Sequence, residues 1–287
     1  MKILDAHGAR IPAIGFGTGS LPGQACIEAV GQALKAGYRH LDCAASYGNE
    51  AQVGQAIKAS GLPREELFLT TKVWPGQFRE ADMIKAAEAS LKALGVDRVD
   101  LFLLHWPDPA VALPDTIRAL NGIARRGLTR HIGVSNFTTA LLAQAWAATE
   151  APLVANQCEY HPGLDQSAVI AACRGRGMAF VSYMPLGRCE VLALPLLGEI
   201  GRRVGKSPAQ VALRWLLQQD GVAAIPKSTD PQRMRENLAL FDFVLSPEDM
   251  AAISALARPD GRMIPFPRAR RPDGSVQEFR DLAPVWD

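Results

Sequence analysis

No stretch of this 287-residue chain approaches the roughly 20 consecutive apolar residues that a membrane-spanning helix needs, and charges interrupt its first 13 residues where a signal peptide would be apolar. Net charge is nearly absent as well. The 31 basic and 29 acidic residues leave only +2, no field with which to gather nucleic acid or anionic lipid. Cysteine is sparse and unordered: Cys26, Cys43, Cys158, Cys173 and Cys189 are odd in number and never spaced as a metal clip or redox pair. No metal is therefore expected, and the thiols are expected to be reduced and buried. Low-complexity tracts, an interdomain linker and internal repeats are also missing. These absences point to a cytoplasmic protein folding as a single domain over residues 1–287, and to a small-molecule partner rather than nucleic acid or membrane.

What is present is core material, 48% hydrophobic against 21% charged residues. Short apolar, β-branched runs read as strands at 14–16, 40–42, 67–72, 99–104, 129–134, 154–157, 179–183 and 222–225. Amphipathic segments lie between them; in residues 81–94, Met83, Ile84, Ala87, Leu91 and Leu94 recur every three to four positions. Each strand and helix together take about 30 residues, the size of a βαβ unit. Eight such units favour a closed (β/α)₈ barrel, with an open doubly wound sheet as the alternative. The His7-Gly8 turn between residues 2–4 and 10–11 predicts a hairpin plugging the barrel floor. From residue 258 onward, Pro259, Pro265, Pro267, Pro272 and Pro284 preclude a long helix and predict an ordered tail or a mobile loop over one end.

Four polar residues sit where apolar runs end: Asp42, Tyr47, Lys72 and His105. In a parallel barrel the C-terminal strand ends converge on one mouth, where catalytic groups collect. Each residue has an ordinary structural reading: a helix-capping Asp, a solvated strand-end Lys, a satisfied core His. Taken together they form a proton-transfer device. A phenol of pKa ~10 is a sluggish acid, and an adjacent ammonium is expected to stabilise its phenolate and lower that value. Lys72 supplies the ammonium, Asp42 keeps it charged and in place, and His105 can donate a hydrogen bond to a substrate oxygen.

Eight ordered segments carry a resemblance to a known family: GFGT at 15–18, LDCAASYGNE at 41–50, TTKVW at 70–74, LLHWP at 103–107, IGVSNF at 132–137, NQCEYHP at 156–162, SYMPLG at 182–187 and IPKS at 225–228. Over nearly its whole length the chain resembles the aldo-keto reductases. The loop after His105, SYMPLG and the closing LAPVWD look most like bacterial 2,5-diketo-D-gluconate reductases of the methylglyoxal-reducing kind. The resemblance implies an NADPH-dependent reductase of aldehyde or ketone carbonyls in small metabolites, acting as a monomer. Tyr47 would be the proton donor, Lys72 and Asp42 its tuners, and His105 the guide for the carbonyl. It further implies that Gly17, Thr18 and Asp42 adjoin the cofactor, that Tyr183 stacks on the nicotinamide, and that Ser135, Asn136 and Gln157 bond its carboxamide. Leu186 and Gly187 would meet the pyrophosphate, Lys227, Ser228 and Arg233 the 2′-phosphate, and Glu236 and Asn237 the adenine. None of this follows from a glycine fingerprint after a strand, which the chain lacks.

Two departures stand out. Asp230 puts a carboxylate in the phosphate-clamp segment, which would weaken a preference for NADPH over NADH. Gly19 stands where many relatives carry a bulky aromatic, which removes one wall of the pocket and leaves Trp74 and Trp106 as apolar walls. The tail from Arg262 aligns with a variable substrate loop. Trp286 would reach the pocket, and Arg268, Arg270 and Arg271 either favour an acidic substrate or are a solvated charge run. Two other classes share this barrel: a cofactor-binding regulatory barrel without turnover, against which the full tetrad argues, and a metal-dependent barrel hydrolase or isomerase, for which no His-x-His pair exists.

Overall fold

A computed structural model of the chain describes residues 2–270, 276–284 and 286. It opens with an antiparallel hairpin, β1 (Ile3–Ala6) and β2 (Ala9–Pro12), registered from Ile3 opposite Pro12 to Ala6 opposite Ala9. His7 and Gly8 turn the chain in left-handed backbone, with φ of 51° and 84°. Strands and helices then alternate. They run β3 (Phe16–Gly17), α1 (Gly23–Ala36), β4 (His40–Asp42), α2 (Glu50–Ser60), β5 (Phe68–Val73), α3 (Glu80–Leu94), β6 (Val99–Leu104), α4 (Leu113–Arg125) and β7 (Thr129–Ser135). They continue with α5 (Thr139–Ala148), β8 (Leu153–Glu159), α6 (Ser167–Arg174) and β9 (Ala179–Tyr183). Two helices, α7 (Pro195–Val204) and α8 (Pro208–Gln218), precede β10 (Val222–Ala224), and α9 (Pro231–Glu236) and α10 (Pro247–Ser254) follow it.

β3 to β10 pair in sequence order, every pair parallel. The sheet then closes on itself: the Ala224 N–H donates to the Ala13 carbonyl at 2.8 Å, and the Gly15 and Gly17 N–H groups donate to Ala224 and Pro226 at 2.9 and 3.1 Å. That seam makes a (β/α)₈ barrel and rules out the open sheet. Gly17 permits the approach, since a Cβ there would stand 2.9 Å from the Ile225 carbonyl oxygen. The first strand begins later than the pattern at 14–16 suggested, because Ile14 makes only an isolated bridge to Ala224.

The barrel is held by apolar burial. Every residue of β5 and β6 is buried, and each such Leu or Val contributes roughly 1.5–3 kcal/mol relative to exposure. In α3 the face bearing Met83, Ala87, Leu91 and Leu94 packs inward as its period requires, while Glu80 and Asp82 in the first turn and Lys92 in the last complement the helix dipole. The hairpin covers the N-terminal strand ends, as expected. Pro12 O lies 3.2 Å from Nδ1 of His40, the first residue of β4, and His7 Nε2 lies 2.7 Å from Arg176 O, shortly before β9.

At the other end the proline-rich tail is ordered through its described residues. β11 (Arg268–Arg270) and β12 (Val276–Glu278) form an antiparallel pair beside the 3₁₀ turn Ala45–Tyr47. Arg271 lies outside the described residues, as does the side chain of Arg270. Among the described residues, no helix is long and apolar enough to cross a membrane.

Candidate active site

Asp42 ends β4, Lys72 is the next-to-last residue of β5, and His105 directly follows β6. Parallel pairing delivers all three to one rim, with Asp42 opposite Thr70 and Lys72 opposite Leu103. Tyr47 arrives from the 3₁₀ turn after β4. The Lys72 ammonium donates to Asp42 Oδ1 at 2.5 Å, to the Cys43 carbonyl at 2.8 Å and to the Tyr47 hydroxyl at 3.4 Å. Asp42 Oδ2 accepts from Gln157 Nε2 at 2.7 Å. Lys72 is fully buried, so this carboxylate is what makes its charge tolerable. The His105 ring packs edge-on against Tyr47 and Trp74, centroids 5.6 and 5.1 Å away. Its Nδ1 lies 3.3 Å from the Ser46 hydroxyl.

The electrostatics separate the three groups. Burial alone would pull the Lys72 ammonium down, but the Asp42 carboxylate that faces and bonds it opposes this first, and the group is held above its ordinary value. His105 is pushed well below the ordinary imidazole range by burial and by the Lys72 charge, so it is neutral. For Tyr47, burial raises the phenol, Lys72 lowers it and Asp42 raises it, and the net is upward. The expectation that Lys72 would bring the phenol below its usual value is thus corrected. Burial of the phenol outweighs the ammonium, and the Asp42 carboxylate, to which that ammonium sits closest, adds to the burial. Tyr47 is therefore a protonated donor beside a neutral imidazole donor, both facing the same space.

That space is a cleft of about 700 Å³ whose wall includes Gly17, Asp42, Tyr47, Trp74, His105, Trp106, Asn136, Gln157, Tyr183, Leu186 and Lys227. Gly19 lies beside the phenol; a Cβ there would meet the Tyr47 ring at 3.5 Å, an ordinary contact that the glycine leaves unmade. Trp74 and Trp106 stand as apolar walls, each backed by the tail through ring contacts of 5.7 Å to Phe279 and 6.0 Å to Trp286. Arg268 also lines the cleft but is paired to Glu278 at 3.2 Å.

The other positions singled out in the sequence fall into two tiers. Asn136, at φ 63°, accepts at Oδ1 from the Tyr183 hydroxyl at 2.8 Å and donates to the His105 carbonyl at 3.0 Å. Ser135 is buried behind it, its hydroxyl donating to the Gln157 carbonyl at 2.7 Å and accepting from Asn136 at 3.1 Å. The Thr18 hydroxyl, also buried, donates to the Asp42 carbonyl at 2.9 Å. Gly187 is buried at φ 49°, where a Cβ would approach Val191 to 2.9 Å. Ser228, Arg233, Glu236 and Asn237 lie on α9 and its flanks rather than on this wall. Asn237 is 4% exposed, its backbone N–H donating to the Arg233 carbonyl at 2.9 Å, and Glu236 accepts from Gln232 at 2.9 Å. Asp230 is the α9 N-cap, accepting from the Gln232 and Arg233 N–H groups at 2.7 and 3.3 Å, with its other oxygen 3.8 Å from Arg233 Nε.

Two features were missed in the sequence. Glu159, at the end of β8 and fully buried, accepts from the Met263 and Ile264 N–H groups at 2.7 and 2.8 Å and contacts His161 at 3.1 Å, which anchors the tail to the rim. A buried carboxylate in the NQCEYHP segment was the available signal. Cys189, at φ 73°, is exposed on the cleft wall, so the expectation that all five thiols are buried holds only for the other four. Among the described residues, no cluster of three or more His, Cys, Asp or Glu is placed to hold a metal ion.

A barrel whose rim presents a phenol, a buried ammonium–carboxylate pair and a neutral imidazole belongs to a recognised class. The Aldo/keto reductase family profile matches residues 13–258, and the chain belongs to that family. It is 41% identical over 280 residues to the methylglyoxal reductase DkgB of Yersinia pestis, covering 96% of this chain and 99% of that protein. A crystal structure named provisionally as a 2,5-diketo-D-gluconic acid reductase B superposes with a TM-score of 0.92 at 47% identity, covering 100% of this chain and 98% of that one. A Bombyx mori aldo-keto reductase solved in complex with NADP superposes with a TM-score of 0.82 at 34% identity, over 90% and 94% of the two chains. The family consists of oxidoreductases that use nicotinamide cofactors. The donor set here fits such a group: a flat half-buried Tyr183 ring, the Asn136 and Gln157 amides, and the Lys227 cation line one cleft.

Proposed function

We propose that this chain is an NADPH-dependent reductase that converts aldehyde or ketone carbonyls of small metabolites to alcohols. The observation that carries the reading is the Tyr47 hydroxyl, 3.4 Å from the Lys72 ammonium and beside neutral His105 on an open cleft. When bound, the dihydronicotinamide supplies a hydride to the carbonyl carbon. His105 orients the carbonyl oxygen through an N–H bond, and Tyr47 gives that oxygen its proton. The buried Lys72 ammonium stabilises the phenolate left behind, and Asp42 keeps the ammonium charged and in place. Tyr183, Asn136 and Gln157 would hold the nicotinamide end, with Lys227, Ser228 and Arg233 meeting the 2′-phosphate. Keto sugars of the 2,5-diketo-D-gluconate kind and methylglyoxal are the substrates that the similar proteins' names suggest.

The test is Tyr47→Phe, which keeps the ring and removes the proton. Carbonyl reduction should fall about 10²- to 10⁴-fold, while NADPH binding, read by fluorescence titration, stays within about two-fold. Wild-type turnover in that variant would refute the assignment. A panel of methylglyoxal and keto sugars with NADPH and NADH, compared by kcat/KM, separates an enzyme from a cofactor-binding barrel without turnover and reads the cofactor preference directly.

A further inference from the structure

Neutral His105 carries a single ring proton, and whether it can serve the carbonyl depends on which nitrogen bears it. Among the described residues, the hydrogen-bonding partner of the ring is the Ser46 hydroxyl, 3.3 Å from Nδ1. The geometry of the 3₁₀ turn Ala45–Tyr47 puts that hydroxyl there: Tyr47 and Ser46 are successive residues, one set edge-on to the imidazole and the other against its Nδ1. The opposite nitrogen, Nε2, is left for the cleft that His105 lines between Tyr47 and Trp74. A serine hydroxyl can donate or accept, so the bond has two forms. In one, Ser46 donates and Nδ1 is bare, which places the proton on Nε2, facing the substrate oxygen. In the other, Nδ1–H donates to Ser46, and a bare Nε2 would repel that oxygen.

We propose that Ser46 is a positioning residue that holds His105 in the Nε2–H tautomer by donating its hydroxyl proton to Nδ1. The proposal rests on the carbonyl-reductase reading for its consequence but not for its spectroscopic test. Tyr47 and His105 then present two donors to one oxygen, and a single short turn sets both. Ser46→Ala would remove the device without touching either donor, since alanine fits a 3₁₀ turn and only one hydroxyl is lost. Ser46→Thr would restore it.

The experiment is ¹⁵N NMR of histidine-labelled protein near neutral pH, with the His105 resonances assigned by their loss in His105→Gln. In the wild type, Nδ1 should resonate as a bare nitrogen and Nε2 as a protonated one. In Ser46→Ala the two shifts should move toward each other as the tautomers mix, and Ser46→Thr should return them. Steady-state kinetics accompany the spectra: loss of one hydrogen bond's bias predicts a roughly two- to ten-fold fall in kcat/KM for Ser46→Ala, recovered in Ser46→Thr. A wild-type spectrum with Nδ1 protonated, or a Ser46→Ala spectrum unchanged from wild type, overturns the proposal. Shifts that respond as stated in a protein that reduces no carbonyl would uphold the tautomer control and instead overturn the reductase reading.

Discussion

A lysine ammonium fully removed from water persists in this barrel because a carboxylate oxygen 2.5 Å away and a carbonyl oxygen 2.8 Å away replace its hydration. Removing one member of such a pair is far more costly than removing both. Lys72→Met should therefore abolish reduction and also destabilise the fold by about 3–5 kcal/mol, because Asp42 is left as a buried charge with only Gln157, among the described residues, as side-chain partner. Chemical denaturation of Lys72→Met against Lys72→Met/Asp42→Asn checks this. The double variant should regain much of the lost stability but none of the activity. Equal stability of the two would mean that Asp42 does not depend on Lys72. The identity of this pair was legible in the sequence because both residues end apolar runs. The net effect on Tyr47 was not, because desolvation depends on which atoms cover the phenol.

Among elements, the tail and α9 are where short polar contacts decide geometry. Glu159 takes one backbone N–H on each carboxylate oxygen, so Glu159→Gln would turn an amide N–H₂ against one of them. The expected outcome is faster hydrogen exchange at Met263 and Ile264 and a several-fold rise in substrate KM with a smaller change in kcat, since the tail backs Trp74 and Trp106. Unchanged exchange would show that the tail is held by its ring contacts alone. For α9, the capping role of Asp230 gives the clamp-segment carboxylate a structural purpose, and its second oxygen draws on Arg233. Asp230→Asn keeps a capping oxygen and releases that guanidinium. The NADPH-over-NADH ratio of kcat/KM should then rise by roughly two- to five-fold, the size of a screened surface charge effect. An unchanged ratio would remove Arg233 from the 2′-phosphate site. The strands and α3 were readable from periodicity to within a residue or two, β3 starting two residues later than its pattern. That strand's partner across the seam, β10, lies about 200 residues away in sequence, beyond any local pattern.

At the scale of the whole molecule, closing the barrel buries His40 and His105, both held below the ordinary imidazole value chiefly by desolvation. The folded chain keeps these rings neutral while the unfolded chain protonates them below about pH 6.5, so the unfolded state binds more protons there. Stability should accordingly hold above that pH and fall as acid is added, by up to about 1.4 kcal/mol per pH unit for each ring. Calorimetric melting from pH 7 to pH 5 reads the slope, and His105→Gln should flatten it. A melting temperature constant over that range would contradict the burial of these rings as the controlling term.

The amino-acid order by itself determined the alternation of strands and helices, the floor hairpin, and the polar residues that end apolar runs, because these are local consequences of side-chain period and turn chemistry. The motif order was enough to name the family. Only the tertiary structure decided that the sheet closes, that Asp230 caps a helix, that Ser46 stands at His105 and that Glu159 holds the tail. Apart from the Asp230 cap, which is local, those contacts join residues brought together by packing, and the direction in which Tyr47 is shifted depends on burial, which no run of neighbouring letters encodes.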